Sequence, residues 1–422
     1  MRVLIVSNNC FSKKLNNGKT LTAIFSSFNK DELAQLYFYP QQPDSDCCFN
    51  YFRITDLDII KHILGKTDTC GKVISCSREV MEDKISISDK KEYSFFSKKA
   101  RNLRIFRDFL WKTNVWESEK LLTWCKDFNP DLIFFVAGNG GFAHSIALRI
   151  SKFLKKPLVI YFTDDYLLYV KPTLIQLLQH FRIKKFFQKS INYSSMCFAI
   201  GELMANEYGK YFNRHFKCIM NAVDIVPFAA PPTYSSPIII SYFGGLHLNR
   251  WKMLVRLASI LKEYIHLCVF TASELTDEIQ KSFSDAQIEY CGCVVDDDLY
   301  KARLKSDVLL HVESDDAKNR AYTRLAISTK IPEYLISGRV VLGFGPEEVA
   351  SMRILKDNDV GVVISSDLPG DAIKKAFLDN FSDNVKCEFM RKRAYMYARE
   401  HFDKKSISSN FRLLLESVIH NS

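Results

Sequence analysis

The chain has no apolar run approaching the roughly 20 residues that a membrane-spanning helix requires, so we expect no transmembrane segment. Its first seven residues read as a strand, too short for the apolar core of a secretory signal. There is no C-x-x-C pair among its 12 cysteines, and several, such as Cys197, Cys218 and Cys268, lie in apolar runs. We therefore expect no zinc site, no disulfide framework and a cytoplasmic location.

Two other absences exclude classes of ligand. The loop after the first strand contains only Gly18 and no G-x-G-x-x-G, so a dinucleotide cofactor is not expected there. No motif of interleaved aromatic and basic residues accompanies the formal net charge of +10, so a nucleic-acid partner is not expected either. The positive charge favours another anionic partner, such as nucleotide phosphates or an acidic lipid surface.

Short apolar strands alternate with helical patterns through both halves of the chain, and a Pro-rich stretch at residues 225–236 separates the halves. The pattern predicts an α/β fold with two Rossmann-like, doubly wound domains, at residues 1–225 and 237–402. Two such domains facing each other leave the cleft between them as the expected ligand site.

One stretch of the second half, residues 328–345, predicts a phosphate site. It reads as a polar turn, a short helix and a buried strand, with Ser328 or Thr329 as the helix cap. The helix N-terminus and Lys330 suit an anionic phosphate. Glu333, one turn further on, can accept hydrogen bonds from hydroxyl groups. A ligand with a phosphate beside a polyol is a nucleotide-sugar, so this stretch predicts a nucleotide-sugar site. The alternative is an ordinary αβ unit in which the charges of Lys330 and Glu333 are solvated.

In the first half, His144 and Asp164 follow predicted strands, where ligands bind in open α/β sheets. His144 is a candidate general acid or base, or a contact for a substrate hydroxyl. The alternatives are a structural histidine and, for Asp164 and Asp165, helix-capping residues.

Two basic segments, residues 97–112 and 177–191, place apolar residues at helical spacing among cations. Such helices can lie on an anionic membrane surface, or they can be ordinary surface helices with the apolar face inward.

Four motifs, taken in order, resemble those of the nucleotide-sugar-dependent glycosyltransferases with the GT-B fold, close to the bacterial family 4 type. Residues 221–224 are similar to an Asn-Gly-Val-Asp turn, and residues 328–335 with Gly338 are similar to the donor-binding helix. Residues 243–246 are similar to a glycine loop that contacts the donor diphosphate, and residues 398–402 to the closing helix of the family. The resemblance implies that residues 403–422 return to the first domain. The resemblance also implies two sets of site residues. The donor-binding set is Gly244, Gly245, Arg250, Lys252, Gly292, Val294, Ser328, Thr329, Lys330 and Glu333. The catalytic set combines the two first-half candidates with two of these cations and is His144, Asp164, Arg250 and Lys252.

The chain departs from the family at one position. Many members carry a second glutamate eight positions before the one that corresponds to Glu333, and this chain has Leu325 there. Glu313, Asp315 and Asp316 are candidates to replace it. The missing carboxylate leaves the donor sugar and the stereochemistry open.

The resemblance implies an enzyme that transfers a sugar from a nucleoside-diphosphate sugar without a metal or other cofactor. The implied acceptor is a sugar or lipid-linked saccharide of cell-surface polysaccharide assembly, with peripheral contact at the inner membrane face. Two alternatives are a nucleotide-sugar epimerase of the same fold and a non-catalytic partner protein.

Overall fold

The computed structural model describes residues 1–13, 16–75, 107–169, 174–232 and 236–421. The chain divides into two compact units. The first unit comprises Met1–Met220 with Lys404–Ser422, and the second comprises Asn221–Asp403. No helix within the described residues combines the length and hydropathy needed to cross a membrane.

The first unit is built on an eight-stranded sheet. Its strands are β1 (Val3–Ser7), β2 (Leu33–Tyr37), β3 (Asn50–Arg53), β4 (Lys72–Ser75), β5 (Leu132–Ala137), β6 (Leu158–Phe162), β7 (Met196–Ala199) and β8 (Phe216–Cys218). They lie in the order β4-β3-β2-β1-β5-β6-β7-β8, all parallel except for the antiparallel edge strand β4. The order changes direction between β1 and β5, which are buried along their whole lengths because helices cover both faces.

Helices alternate with these strands, as predicted for a doubly wound domain. They are α1 (Asn16–Ile24), α2 (Asp56–Ile63), α3 (Glu119–Phe128), α4 (Gly141–Leu154), α5 (Leu174–Tyr193) and α6 (Glu202–Phe212), with a 3-10 turn at Lys30–Glu32. Local chemistry explains several helix ends. The Thr55 hydroxyl accepts from the Asp58 N–H at the start of α2, and Lys155 ends α4 in the left-handed conformation.

The second unit repeats the architecture with six parallel strands. They are β9 (Ile238–Phe243), β10 (Ile265–Phe270), β11 (Glu289–Tyr290), β12 (Val308–Val312), β13 (Val340–Gly345) and β14 (Val362–Ser365), in the order β11-β10-β9-β12-β13-β14. Its helices are α7 (Arg250–Leu261), α8 (Asp277–Asp285), α9 (Asp296–Lys305), α10 (Ala317–Thr323), α11 (Lys330–Ile336), α12 (Ala350–Asp357), α13 (Gly370–Phe381) and α14 (Asn384–His401). The two parallel-sheet α/β domains predicted from the alternating pattern are therefore confirmed.

A final helix, α15 (Lys404–His420), belongs to the first unit. Its Phe411 ring is buried and lies 5.1 Å from the ring of Phe25 and 5.4 Å from that of Phe134. Ser408 donates to the Ile24 carbonyl at 2.8 Å, and Arg412 donates to both oxygens of Glu32. Aromatic packing and polar contacts together fix the helix on this unit.

Replacing Phe411 with alanine should reveal how much the first unit depends on α15. Loss of a buried phenylalanine costs about 3–5 kcal/mol, so the urea midpoint of the first unit should fall markedly. Leu413→Ala, two residues away on the same helix, is the matched control because Leu413 is 62% exposed. Equal midpoints for the two variants would contradict the packing described for α15.

Candidate active site

The strand order of the second unit changes direction between β9 and β12. In open α/β sheets, ligands bind at such a point, beyond the carboxyl ends of the strands. Gly244 directly follows β9 and Glu313 directly follows β12. Gly244 and Glu313, which are far apart in the sequence, therefore both lie at the edge of the sheet where this type of fold binds ligands.

Gly244 brings bare backbone next to the ammonium group of Lys330. Its φ is +150°, a region that favours glycine, and its N–H donates to the Phe270 carbonyl at 3.0 Å. A Cβ atom at Gly244 would lie 2.4 Å from Lys330 Nζ. Lys330 Nζ donates to the Tyr242 hydroxyl at 3.3 Å, which in turn donates to the Gly245 carbonyl at 2.7 Å. The glycine pair and Lys330 thus form one connected cluster.

Arg250, the first residue of α7, supplies a second cation to this cluster. Its Nη2 donates to both oxygens of Glu313, at 3.2 and 3.0 Å. The Glu313 side chain is only 3% exposed. Burial raises the pKa of Glu313, but the charge of Arg250 and the contact with His311 outweigh it and lower the pKa to about 2. Arg250 Nε finds no hydrogen-bond acceptor among the described residues, which leaves donor capacity at the site.

Lys330 is the most strongly perturbed cation of the cluster. Burial and the neighbouring charge of Arg250 lower its pKa to about 7, against the opposing effect of Glu313. Its ammonium also lies 4.5 Å from the centre of the Tyr242 ring. Perturbed groups that gather in a cleft-forming part of a fold mark a candidate functional site.

Glu333 lies one turn into α11 and forms an ion pair with Arg303 of α9. The Arg303 guanidinium lies 5.8 Å from the centre of the Phe243 ring and 5.7 Å from that of Tyr334. Tyr334 is held in turn, since its hydroxyl accepts from the Phe243 N–H at 3.1 Å. The acid is therefore positioned by a stacked arginine that the sequence analysis did not single out.

Other residues predicted for the donor site lie near the cluster in sequence but differ in exposure. Lys252 is exposed, with its ammonium 5.3 Å from the centre of the Trp251 ring. Ser328 Oγ accepts from the Lys330 N–H at 3.4 Å, whereas Thr329 is exposed and its side chain makes no capping bond. Because α11 spans only seven residues, charge at this site comes chiefly from side chains rather than from a long helix dipole.

Gly292 and Val294 follow the edge strand β11 and are half-buried. Gly292 has a φ of +73°, and its carbonyl accepts from the Thr271 N–H at 2.7 Å. Their predicted contact with the donor stays a prediction.

The first unit has its own change of strand order, between β1 and β5. A Cβ atom at Gly138, after β5, would lie 2.4 Å from Asn8 Nδ2, after β1, so these two chain segments are tightly apposed. Asp164 follows β6 and is half-buried; its Oδ2 accepts from Tyr166 at 3.0 Å and from Thr163 at 3.2 Å. Burial raises the pKa of Asp164.

The contacts of His144 are those of a structural histidine, which was the alternative to a catalytic role. Its ring is fully buried in α4, with Nδ1 2.8 Å from Ser190 Oγ and Nε2 3.4 Å from the Gly138 carbonyl. Burial lowers its pKa to about 3, so the ring is neutral. Asp165 is buried, and its Oδ1 accepts from the N–H groups of Leu167 and Leu168 within a turn that is not the start of a helix, so the helix-capping alternative does not apply to it.

Of the three acids considered as replacements for the missing glutamate, Glu313 is the one in the cluster. Asp315 pairs with Arg256 at 3.0 Å, and Asp316 caps α10 through the Asn319 N–H. The sequence could indicate Glu313 only by its place after a predicted strand. It contained no local signal for Arg303, which reaches Glu333 from another helix.

No protein-family model matches the chain, and no curated protein matches its sequence. Solved structures do match. The HepE protein of Anabaena in complex with UDP has a TM-score of 0.64 at 11% identity, covering 99% of this chain and 100% of that one. Sucrose-phosphate synthase from Thermosynechococcus elongatus has a TM-score of 0.66 at 9% identity, covering 100% of both chains.

A UDP-forming alpha,alpha-trehalose-phosphate synthase from Burkholderia vietnamiensis matches with a TM-score of 0.60 at 10% identity, covering 99% of this chain and 100% of that one. Identities this low establish the fold alone. The chain therefore has the fold of the GT-B glycosyltransferases, with two parallel-sheet α/β domains.

Proposed function

We propose that the chain is a glycosyltransferase, of the bacterial family 4 type, that transfers a sugar from a nucleoside-diphosphate sugar to an acceptor hydroxyl. The observation that carries the proposal is the pair of cations, Lys330 and Arg250, beside the bare backbone of Gly244 at the carboxyl ends of β9 and β12. Two cations close together suit a diphosphate, whose oxygens need several charge-assisted donors.

A uridine nucleotide is the first donor to test. The HepE protein of Anabaena, which shares the fold, was solved with UDP and also with UDP and glucose. Glu333 is the group proposed to hold the ribose hydroxyls, because it is a carboxylate one turn from Lys330 and Arg303 fixes its position.

In the proposed transfer, the bond between the anomeric carbon and the diphosphate oxygen breaks, and a bond to the acceptor oxygen forms as that hydroxyl loses its proton. Negative charge grows on the departing diphosphate, where Lys330 and Arg250 stabilise it. Glu313 is a positioning residue, since its buried carboxylate holds Arg250. Neither metal nor other cofactor has a role in this proposal.

The acceptor is proposed to bind the first unit, at the carboxyl ends of its strands. Asp164 is the better candidate there for taking the acceptor proton, because it is half-buried and its pKa is raised. His144 is enclosed by Ser190 and Gly138 and is a less suitable base.

The acceptor is further proposed to be a lipid-linked saccharide of cell-surface polysaccharide assembly, which the protein would meet at the inner membrane face.

The two basic segments are the proposed membrane contact. Of segment 97–112, only residues 107–112 lie within the described part of the chain, and segment 177–191 lies in α5. Phe109 and Phe181 are 56% and 57% exposed. Arg182 lies 5.5 Å from the centre of the Phe109 ring and forms an ion pair with Asp108. Exposed rings beside cations suit an anionic bilayer surface.

Lys330→Met should weaken the binding of UDP-glucose by about tenfold to a hundredfold, because it removes a charge-assisted contact worth about 1.5–3 kcal/mol. Isothermal titration calorimetry at pH 6.5 measures the change. Lys262→Met is the control, since Lys262 is an exposed cation just beyond the other end of α7.

The transfer itself is tested by following UDP release from UDP-sugars with and without saccharide acceptors. Release that requires an acceptor and is lost in Lys330→Met supports the proposal. Conversion of the donor sugar without any acceptor would instead indicate an epimerase. Binding with no turnover on any donor and acceptor pair would indicate a non-catalytic protein.

The affinity for UDP-glucose should fall as the pH rises above about 7. In the ligand-free protein Lys330 loses its proton as the pH rises through its pKa of about 7, and the diphosphate prefers the charged form. Binding above pH 7 therefore takes up a proton, and the affinity falls by up to about tenfold per pH unit. Lys330→Arg keeps its charge and should bind with little change between pH 6 and 9. The same slope in both proteins would contradict the perturbed lysine.

A double variant, Phe109→Ser with Phe181→Ser, should bind vesicles of anionic lipid at least about tenfold more weakly than the unchanged chain, because each buried ring is worth about 1.5–3 kcal/mol. Vesicle co-sedimentation at low and high salt measures the change. Phe389→Ser on α14 is the matched control, since Phe389 is 65% exposed. An equal or greater loss in the control would contradict membrane contact through these two segments.

A further inference from the structure

Three side chains with metal-ligating atoms lie on one face of the sheet edge in the second unit, and a cysteine follows them in the chain. His266 and Cys268 are alternate residues of β10 and therefore share a face. Glu289 pairs directly with Cys268 in the parallel register of β10 and β11. Cys291 follows two residues later, and its N–H donates to the Val269 carbonyl at 3.0 Å.

The functional groups of these residues converge. Glu289 Oε2 lies 2.6 Å from His266 Nε2 and 3.7 Å from Cys268 Sγ. The ligand atoms of His266, Cys268 and Glu289 all lie within 4.8 Å of one another. Cys291 adjoins this group, since its thiol donates to the Glu289 carbonyl at 3.8 Å. No other group of this kind occurs among the residues that the structure describes.

We propose that His266, Cys268, Glu289 and Cys291 form a binding site for one Zn²⁺ ion. Bond lengths of about 2.0–2.3 Å to nitrogen, oxygen and sulfur place tetrahedral zinc ligands roughly 3.3–3.8 Å apart. The separation of Cys268 and Glu289 already lies in this range, and the His266–Glu289 contact needs to open by less than an ångström by the same estimate.

The ligand types favour zinc over the harder cations. Two thiolates and an imidazole are soft or borderline ligands, whereas Mg²⁺ and Ca²⁺ require oxygen. Four protein ligands leave no position for a reacting water, so the site is structural. The ion binds as the two thiols give up their protons, and nothing is oxidised or reduced.

The site would join the two-residue strand β11 to β10, its neighbour in the sheet. Cys291 directly precedes Gly292, whose carbonyl already accepts from the Thr271 N–H. A bound ion would therefore fix the chain where it leaves the sheet edge. This consequence concerns the backbone alone and does not depend on the proposed transferase activity.

The test uses the whole chain, stripped of metal and kept reduced, with no nucleotide present. Competition with a chromogenic chelator should show one tightly bound Zn²⁺ per chain, and Co²⁺ should give a thiolate-to-metal absorption band. Cys291→Ser should lower the zinc affinity at least about a hundredfold, the upper end of what loss of a second-shell partner costs. It should also reduce the cobalt band by about half, because one of two thiolates is lost.

His266→Gln provides a second variant, at a side chain that is 44% exposed and whose replacement therefore disturbs the core little. It should weaken zinc binding while leaving the thiolate band of Co²⁺ in place. Cys218→Ser is the control, because Cys218 is a half-buried cysteine of the first unit. Hydrogen exchange at the Cys291 and Thr271 amides should slow when zinc is added.

Absence of saturable zinc binding at micromolar concentration overturns the proposal. So does binding that is equally strong in Cys291→Ser, His266→Gln and Cys218→Ser. Because none of these measurements involves a donor or an acceptor, a chain that fails to bind UDP-sugars can still bind zinc, and the reverse also holds.

Discussion

The close packing of two cations around one buried carboxylate is the constraint on which the second unit's site depends. Lys330 and Arg250 repel each other, and burial adds to the cost of keeping both charged. Glu313 offsets that cost for Arg250 by accepting two hydrogen bonds. Within the described part of the chain, Lys330 makes no hydrogen bond to a carboxylate, and its pKa is lowered because burial and the charge of Arg250 outweigh the attraction of Glu313. A diphosphate would supply the missing negative charge.

This arrangement explains why glycine follows β9. The chain must bend away from the sheet there, and Lys330 occupies the volume that any larger side chain would need. The strand order contributes as well, because β9 and β12 are neighbours in the sheet although residues 244–307 separate them in the chain.

Much of the fold and of the candidate site could be predicted from the sequence, because local patterns mark the elements that carry them. Apolar strands such as β5 and β9, and the helix at residues 330–336, are marked by continuous hydrophobic runs or by turn residues at their ends. Strand β2 was not predicted because Gln35 interrupts its apolar run. Its buried amide is satisfied by Ser7 Oγ at 2.9 Å and by the Phe11 N–H at 2.9 Å, partners that no local pattern reveals.

The limits of sequence reasoning are clearest where residues meet across elements. Arg303 and Glu333 lie on different helices. The proposed zinc ligands come from β10, from β11 and from the residue that follows β11, with no metal-binding spacing between them in the sequence. A C-x-x-C pattern therefore does not mark them in the sequence. Conversely, His144 had a suitable position after a strand, but only the packing around α4 showed that its ring is enclosed.

The position of α15 has a consequence for biosynthesis. Because the first unit takes in Lys404–Ser422, it cannot be completed until the ribosome has made the whole of the second unit. The pocket for Phe411, formed in part by Phe25 and Phe134, stays uncovered during that interval. The unit that begins first is thus completed last, and until then it exposes an aromatic surface of the kind that makes incomplete domains prone to aggregate.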